Sequence, residues 1–99
     1  MKTYVVLRRG AWRTVDDLRE AAKRAESAVE RTPDDVRWVR SYFVAESDGS
    51  VGTVCVYQAT SPEAVRAHSG RAGLPVDEIV AVAETVVVEP AAPKGTTAV

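Results

Sequence analysis

The chain has 99 residues, a formal net charge of −1 and 45% hydrophobic residues, which predict one small globular domain. Acidic and basic residues are mixed along the chain, so a nucleic-acid partner is not expected. No run of about 18 apolar residues occurs, and no signal peptide is recognisable, so we expect no membrane partner. The single cysteine, Cys55, has no second cysteine to pair with in the chain, which favours a cytoplasmic location.

The first part of the chain predicts a strand followed by a helix. Residues 4–8 are β-branched, aromatic or long, and they precede Gly10, as expected of a strand. Thr14 is a suitable N-cap, and small apolar residues recur on one helical face over residues 15–29. Because that face is mostly alanine, we expect the helix to lie close to its sheet.

The middle of the chain predicts a β-hairpin. Two strand-like segments, 36–46 and 51–59, flank the sequence Ser-Asp-Gly-Ser, whose Asp-Gly pair is typical of a tight turn. We expect this turn to pair Glu46 with Val51.

A second helix and a last strand complete the predicted fold. The helix begins after the N-cap Ser61 and ends at Gly73, and a strand is expected over residues 79–89. The domain is predicted to cover residues 1–90, and the Ala-, Pro- and Thr-rich residues 91–99 to form a disordered tail. The order β-α-β-β-α-β predicts a ferredoxin-like α+β fold, a four-stranded antiparallel sheet with two helices on one face.

The expected hairpin register divides its side chains between two faces. With Glu46 opposite Val51, one face carries aromatic and polar side chains, namely Trp38, Arg40, Tyr42, Thr53, Cys55 and Tyr57. The other face would be the core, with Val39, Phe43, Val54 and Val56. We predict that Trp38, Arg40, Tyr42 and Tyr57 form a ligand or dimer face, and that the sheet associates with a second copy. The alternative is that Trp38 and Tyr42 fill gaps at the sheet edge.

His68 and Cys55 are the candidates for chemistry. His68 is the only histidine and lies on the apolar side of the second helix, which is more typical of a hydrogen-bonded core residue than of a metal ligand. Cys55 lies in mid-strand and is interpreted as a small apolar residue. A metal site needs three or more ligands, and the chain has no CxxC, HxxH or HExxH motif. No catalytic residue is predicted.

Four arginines are interpreted as members of a solvated face, although they could neutralise an anionic ligand: Arg8, Arg9, Arg13 and Arg40.

Several short motifs, in a fixed order, carry a family resemblance. They are a Trp-x-x-Ser-Tyr strand at Trp38, a Cys-x-Tyr strand at Cys55, a Glu-Ala-x-x-x-His helix ending at His68, and a Gly-Leu-Pro turn at Gly73. The chain resembles small bacterial proteins known as nickel-binding proteins. The resemblance implies a ferredoxin-like fold, dimerisation through the sheet, and binding of nickel or a related divalent ion. His68 and Cys55 match the family pattern as candidate metal ligands. Arg40 replaces a histidine found in several relatives, and a guanidinium cannot ligate a metal.

The resemblance favours a cytoplasmic homodimer that binds a divalent transition metal and is not an enzyme. One alternative is a dimer that binds a small organic ligand between its sheet and helices. Another is a monooxygenase-like enzyme of the dimeric α/β-barrel type, with His68 as a haem ligand.

Overall fold

A computed structural model describes residues 1–89, which form one antiparallel sheet with two helices on one side. The sheet order is β2-β3-β1-β4, and every neighbouring pair is antiparallel. The predicted ferredoxin-like fold is confirmed. The predicted tail at 91–99 lies outside the described residues. The elements are β1 (Lys2–Trp12), α1 (Val15–Arg31), β2 (Val36–Ala45), β3 (Val51–Ala59), α2 (Pro62–Ala72) and β4 (Glu78–Ala81).

Both helices begin at the N-caps that the sequence predicts. Thr14 accepts a hydrogen bond from the backbone N–H of Asp17, and Ser61 accepts one from Ala64, each at 3.1 Å. Helix α2 ends at Gly73, whose φ of 68° is the left-handed conformation that glycine adopts without steric cost. Helix α1 faces the sheet with small side chains and one leucine, namely Leu18, Ala21, Ala25 and Ala28.

The hairpin register differs from the predicted one. Ala45, not Glu46, pairs with Val51, because the backbone N–H of Glu46 donates to Ser50 O at 2.9 Å and makes both residues part of a five-residue loop. A second irregularity, between Trp38 and Arg40, shifts the pairing again.

The predicted assignment of faces is therefore wrong for β3 and for Trp38 and Val39 of β2. A one-residue slip moves every side chain to the opposite face of a strand. Thr53, Cys55 and Tyr57 face the helices and are buried. Of the predicted core residues, Val39 is 46% exposed, and Val54 and Val56 are half-buried. Phe43 lies on the helix side, as predicted, although it is 42% exposed.

Strand β4 is shorter than the predicted strand over 79–89. The last residue pair between β4 and β1 is Ala81 with Tyr4, and one further hydrogen bond runs from Val82 N–H to Thr3 O. Because β1 begins at Lys2, it offers the residues after Val82 no strand to pair with. At its other end the carboxylate of Asp77 accepts a hydrogen bond from the backbone N–H of Arg9. Residues 82–89 form no helix or strand.

The core lies between the helices and the sheet. Among its fully or nearly fully buried side chains are Val6, Val36, Tyr57 and Val65, and the polar side chains of Arg8, Thr53, His68 and Ser69 are buried with them. Within residues 1–89 no helix is long and apolar enough to cross a membrane.

We expect Gly52→Ala to destabilise the protein. A Cβ at residue 52 would lie 2.4 Å from Arg8 O and 3.1 Å from Gly10 N, and these backbone atoms cannot rotate away as a side chain would. Urea unfolding should show a loss of about 1–3 kcal/mol. The control is Gly70→Ala, because a Cβ there meets nothing within 4 Å. That variant should gain about 0.5–1 kcal/mol from the better helix propensity of alanine. Equal stability of the two variants would contradict the close approach of β1 and β3.

Candidate functional site

Five buried residues from three elements form a polar cluster inside the core, here called the Arg8 cluster. Arg8 comes from β1, Cys55 and Tyr57 from β3, and His68 and Ser69 from α2. The two strands are paired antiparallel, and alternate residues of each point toward the helices. The cluster therefore joins the centre of the sheet to α2.

Arg8 is the centre of the cluster. Its side chain donates three hydrogen bonds, from Nε to Pro75 O at 2.8 Å, from Nη1 to Cys55 Sγ at 3.3 Å and from Nη2 to Ser69 Oγ at 2.9 Å. The guanidinium carbon also lies 6.0 Å from the centre of the Tyr57 ring, at the edge of cation–π range. Within residues 1–89 no carboxylate forms an ion pair with Arg8. A buried cation is thus solvated only by neutral groups.

Tyr57 connects Arg8 with the aromatic residues of the core. Its hydroxyl lies 3.3 Å from His68 Nε2, and its ring stacks on Trp38 with centroids 6.5 Å apart. Burial raises the pKa of Tyr57 to about 12, so the phenol is protonated at neutral pH.

His68 is fully buried and neutral at physiological pH. Burial, aided by the positive charges of Arg8 and Arg71, lowers the pKa of His68 to about 4. Its Nδ1 has no hydrogen-bond partner among the described residues. One side of the imidazole is therefore paired and the other is left unsatisfied.

The structure separates the four residues of the predicted ligand or dimer face. Trp38 and Tyr57 lie on the helix side of the sheet together with Cys55. Arg40 and Tyr42 lie on the opposite side, which we call the open face. The prediction that the four share one surface is wrong, because Trp38 pairs with Tyr57 whereas Tyr42 pairs with Val54. The open face and residues 82–89 line a shallow groove.

Arg8 is the main residue that the sequence interpretation misses. The sequence predicts Arg8 on a solvated face, but the residue is only 1% exposed. The alternation of Tyr4, Val6 and Arg8 along β1 was the signal that could have placed it, because these residues share the buried face. Arg9, the next residue, is exposed and pairs with Glu46 at 2.9 Å.

The residues of one chain do not fit a nickel site at His68 and Cys55. Cys55 Sγ accepts a hydrogen bond from a guanidinium, whose positive charge would repel a divalent cation. The described part of the chain contains no group of three or more His, Cys, Asp or Glu residues that could hold a metal ion. The role of these two residues as ligands stays a prediction that the geometry of one chain does not support.

A cavity between α1 and the sheet, here called the α1 cavity, borders the cluster. Arg8, Thr53, Cys55 and Tyr57 line it from the sheet, but its free volume is only about 20 Å³. This is room for a single water molecule, not for a haem.

The fold and the cluster define a small ferredoxin-like α+β protein with a buried cationic centre. The family described as "Nickel responsive protein SCO4226-like" matches residues 4–82, and the chain belongs to this family. The chain is also similar to the crystal structure of SCO4226 from Streptomyces coelicolor A3(2). That similarity has 28% sequence identity and a TM-score of 0.66, and covers 85% of this chain and 99% of the other. No curated protein shows significant similarity to the chain.

We expect the buried neutral histidine to make the protein less stable in mild acid. With a pKa of about 4 in the folded state and 6.5 as its ordinary value, His68 binds a proton on unfolding whenever the pH lies between them. The free energy of unfolding should therefore fall by about 2 kcal/mol from pH 7.5 to pH 5. Urea titrations across this range measure it.

The matched control for this pH dependence is His68→Gln. The chain has no other histidine, so the variant should be nearly insensitive to pH in the same range. The pKa values of Glu46 and Asp48 are lowered by Arg9 and Ser50 respectively, and the stability they contribute is lost only as the pH falls below their ordinary values. Equal pH dependence in both proteins would contradict the assignment to His68.

Proposed function

We propose that this protein is a non-enzymatic homodimer that takes part in a nickel response, and that any divalent transition metal it binds lies between two copies. The single observation that supports the proposed dimer is the apolar character of the open face. We also propose the cytoplasm as its location, as expected from the sequence.

The open face exposes large hydrophobic side chains that no described residue covers. Tyr42 is 55% exposed, Val39 46% and Val80 42%. The segment that borders the groove adds three exposed valines, Val86, Val87 and Val88. Such a continuous patch is typical of a protein interface, since each of these side chains gains free energy when it leaves water.

The charges around the groove suit a second copy of the same chain. Arg40 lies on the open face, and Glu84 and Glu89 border the groove on its other side. In a two-fold symmetric dimer each surface meets itself, so residues of opposite charge on one patch can pair across the axis. The patch therefore combines an apolar centre with charges that can complement one another.

The arrangement around Cys55 and His68 favours a binding role over catalysis. A cysteine nucleophile needs a base in contact with it and a third group that orients the base. In the described residues Cys55 Sγ contacts Arg8, and the contact recorded for His68 is with the Tyr57 hydroxyl. Within residues 1–89 no carboxylate forms a hydrogen bond with either side chain.

We expect Val39→Asp to produce a monomer. The aspartate would place a charge within the apolar patch, on the edge strand β2, where burial against a second copy leaves it without solvation. Light scattering coupled to size exclusion measures the mass of the wild type, expected to be twice the chain mass, and of the variant. Val15→Asp is the control, because Val15 is 42% exposed but lies at the start of α1. A monomeric wild type, or a dimeric Val39→Asp, would contradict the proposed interface.

We expect bound nickel at no more than one ion per two chains. In a two-fold symmetric dimer, every metal-ligating side chain near the axis is present twice. Within the described residues, one chain brings no three His, Cys, Asp or Glu side chains together. Calorimetry with Ni²⁺ and elemental analysis, on protein without a histidine tag, give the stoichiometry. Val39→Asp should lose the binding together with the dimer, and His68→Gln should keep it. One ion per chain, lost in His68→Gln, would instead support the site predicted from the sequence.

A further inference from the structure

The α1 cavity has an apolar wall, and its floor on the sheet consists of buried groups that include two polar side chains. Helix α1 contributes Leu18 and three alanines, and Trp12, Phe43 and Leu74 surround it. The sheet contributes Arg8 and Thr53, which are paired directly opposite each other on β1 and β3. It lies on the helix side of the sheet, away from the proposed dimer interface.

Arg8 places a positive charge at the floor of the α1 cavity, and within residues 1–89 it has no carboxylate partner. A guanidinium has five N–H donors, and three of those of Arg8 have recorded partners within residues 1–89. Pro75 O, Cys55 Sγ and Ser69 Oγ are all neutral acceptors when the cysteine is a thiol. A buried cation without a counter-ion is costly, and the cost is relieved when an anion binds beside it.

Thr53 supplies an independent sign of a missing ligand. Its side chain is buried, lines the cavity, and its hydroxyl oxygen has no hydrogen-bond partner among the described residues. A buried hydroxyl normally has at least one partner. An anionic oxygen in the cavity could accept hydrogen bonds from both this hydroxyl and Arg8.

We propose that the α1 cavity binds a small monocarboxylate with a short apolar body. The carboxylate lies on the floor between Arg8 and Thr53, and the apolar body lies among Leu18, the α1 alanines and Phe43. A single guanidinium balances a single negative charge, so a monoanion is favoured over a dianion. Because the free volume is about 20 Å³, which is room for one water molecule, both the carboxylate and the apolar body require α1 to shift outward.

Binding is tested by fluorescence and calorimetry with sodium benzoate and sodium butyrate as probes. Both tryptophans of the chain, Trp12 and Trp38, line the cavity, so their emission reports its occupation. We expect saturable binding of the carboxylates at constant ionic strength. Benzyl alcohol and butanamide, which lack the charge, should bind at least about tenfold more weakly. No saturable binding of either carboxylate, equal binding of the neutral analogues, or binding of chloride alone would overturn the proposal.

Thr53→Val separates ligand binding from folding. The valine keeps the branched shape and removes an unsatisfied hydroxyl, so the melting temperature of the free protein should rise by a few degrees. Benzoate should nevertheless bind about tenfold more weakly, because a hydrogen bond to a charged group is lost. Arg8→Gln should abolish binding, and Arg66→Gln, which changes an exposed arginine of α2, should leave it unchanged. Unchanged benzoate affinity in Thr53→Val would contradict the assigned floor.

Discussion

The hydrogen bonds of the Arg8 guanidinium are the interaction on which the rest of the structure depends. One side chain joins β1 to β3 through Cys55, to α2 through Ser69 and to the following turn through Pro75 O. An apolar residue at this position could fill the space but could not make these directional contacts. Burial lowers the pKa of His68, and the positive charge of Arg8 adds to this effect. Arg8 also lines the α1 cavity, so it contributes to packing, to histidine protonation and to the proposed ligand site.

The two sides of the sheet have different roles in this view. The helix side contains the polar cluster and the α1 cavity, and it is closed by alanines that let α1 approach the sheet. The open face exposes valines and a tyrosine and is proposed to meet a second copy. Because β-strand side chains alternate, neighbouring residues such as Val56 and Tyr57 belong to different surfaces. A change in one surface can thus be made with little direct effect on the other.

Much of the fold could be predicted from the sequence, because its signals are local. Thr14, Ser61 and Gly73 mark helix ends through their own hydrogen bonds or backbone conformation. The faces of the hairpin could not be predicted, since they depend on whether the Asp-Gly turn closes at Ala45 or at Glu46. A difference of one residue in that loop exchanges the two faces of β3 relative to the end of β2 that it adjoins.

The candidate site was harder to predict than the fold. The alternation along β1 pointed to the burial of Arg8, but general preference places arginine at the surface, and that preference governed the interpretation. The hydrogen-bond partners of Arg8 are separated from it by 47, 61 and 67 positions in the sequence. No local sequence pattern reveals contacts at such separations. His68 was correctly expected on the apolar side of α2, since helical periodicity determines that side.

The contact between Asp77 and Arg9 has a consequence for behaviour at high concentration. Strand β4 pairs with β1 only as far as Leu7, and a longer bare edge there would offer free N–H and C=O groups to strands of other molecules. The Asp77 carboxylate instead occupies the next N–H and places a negative charge beside it. A foreign strand would have to displace that carboxylate before it could extend the sheet. At this point of the sheet, the backbone N–H of Arg9 is therefore not free to pair with a foreign strand.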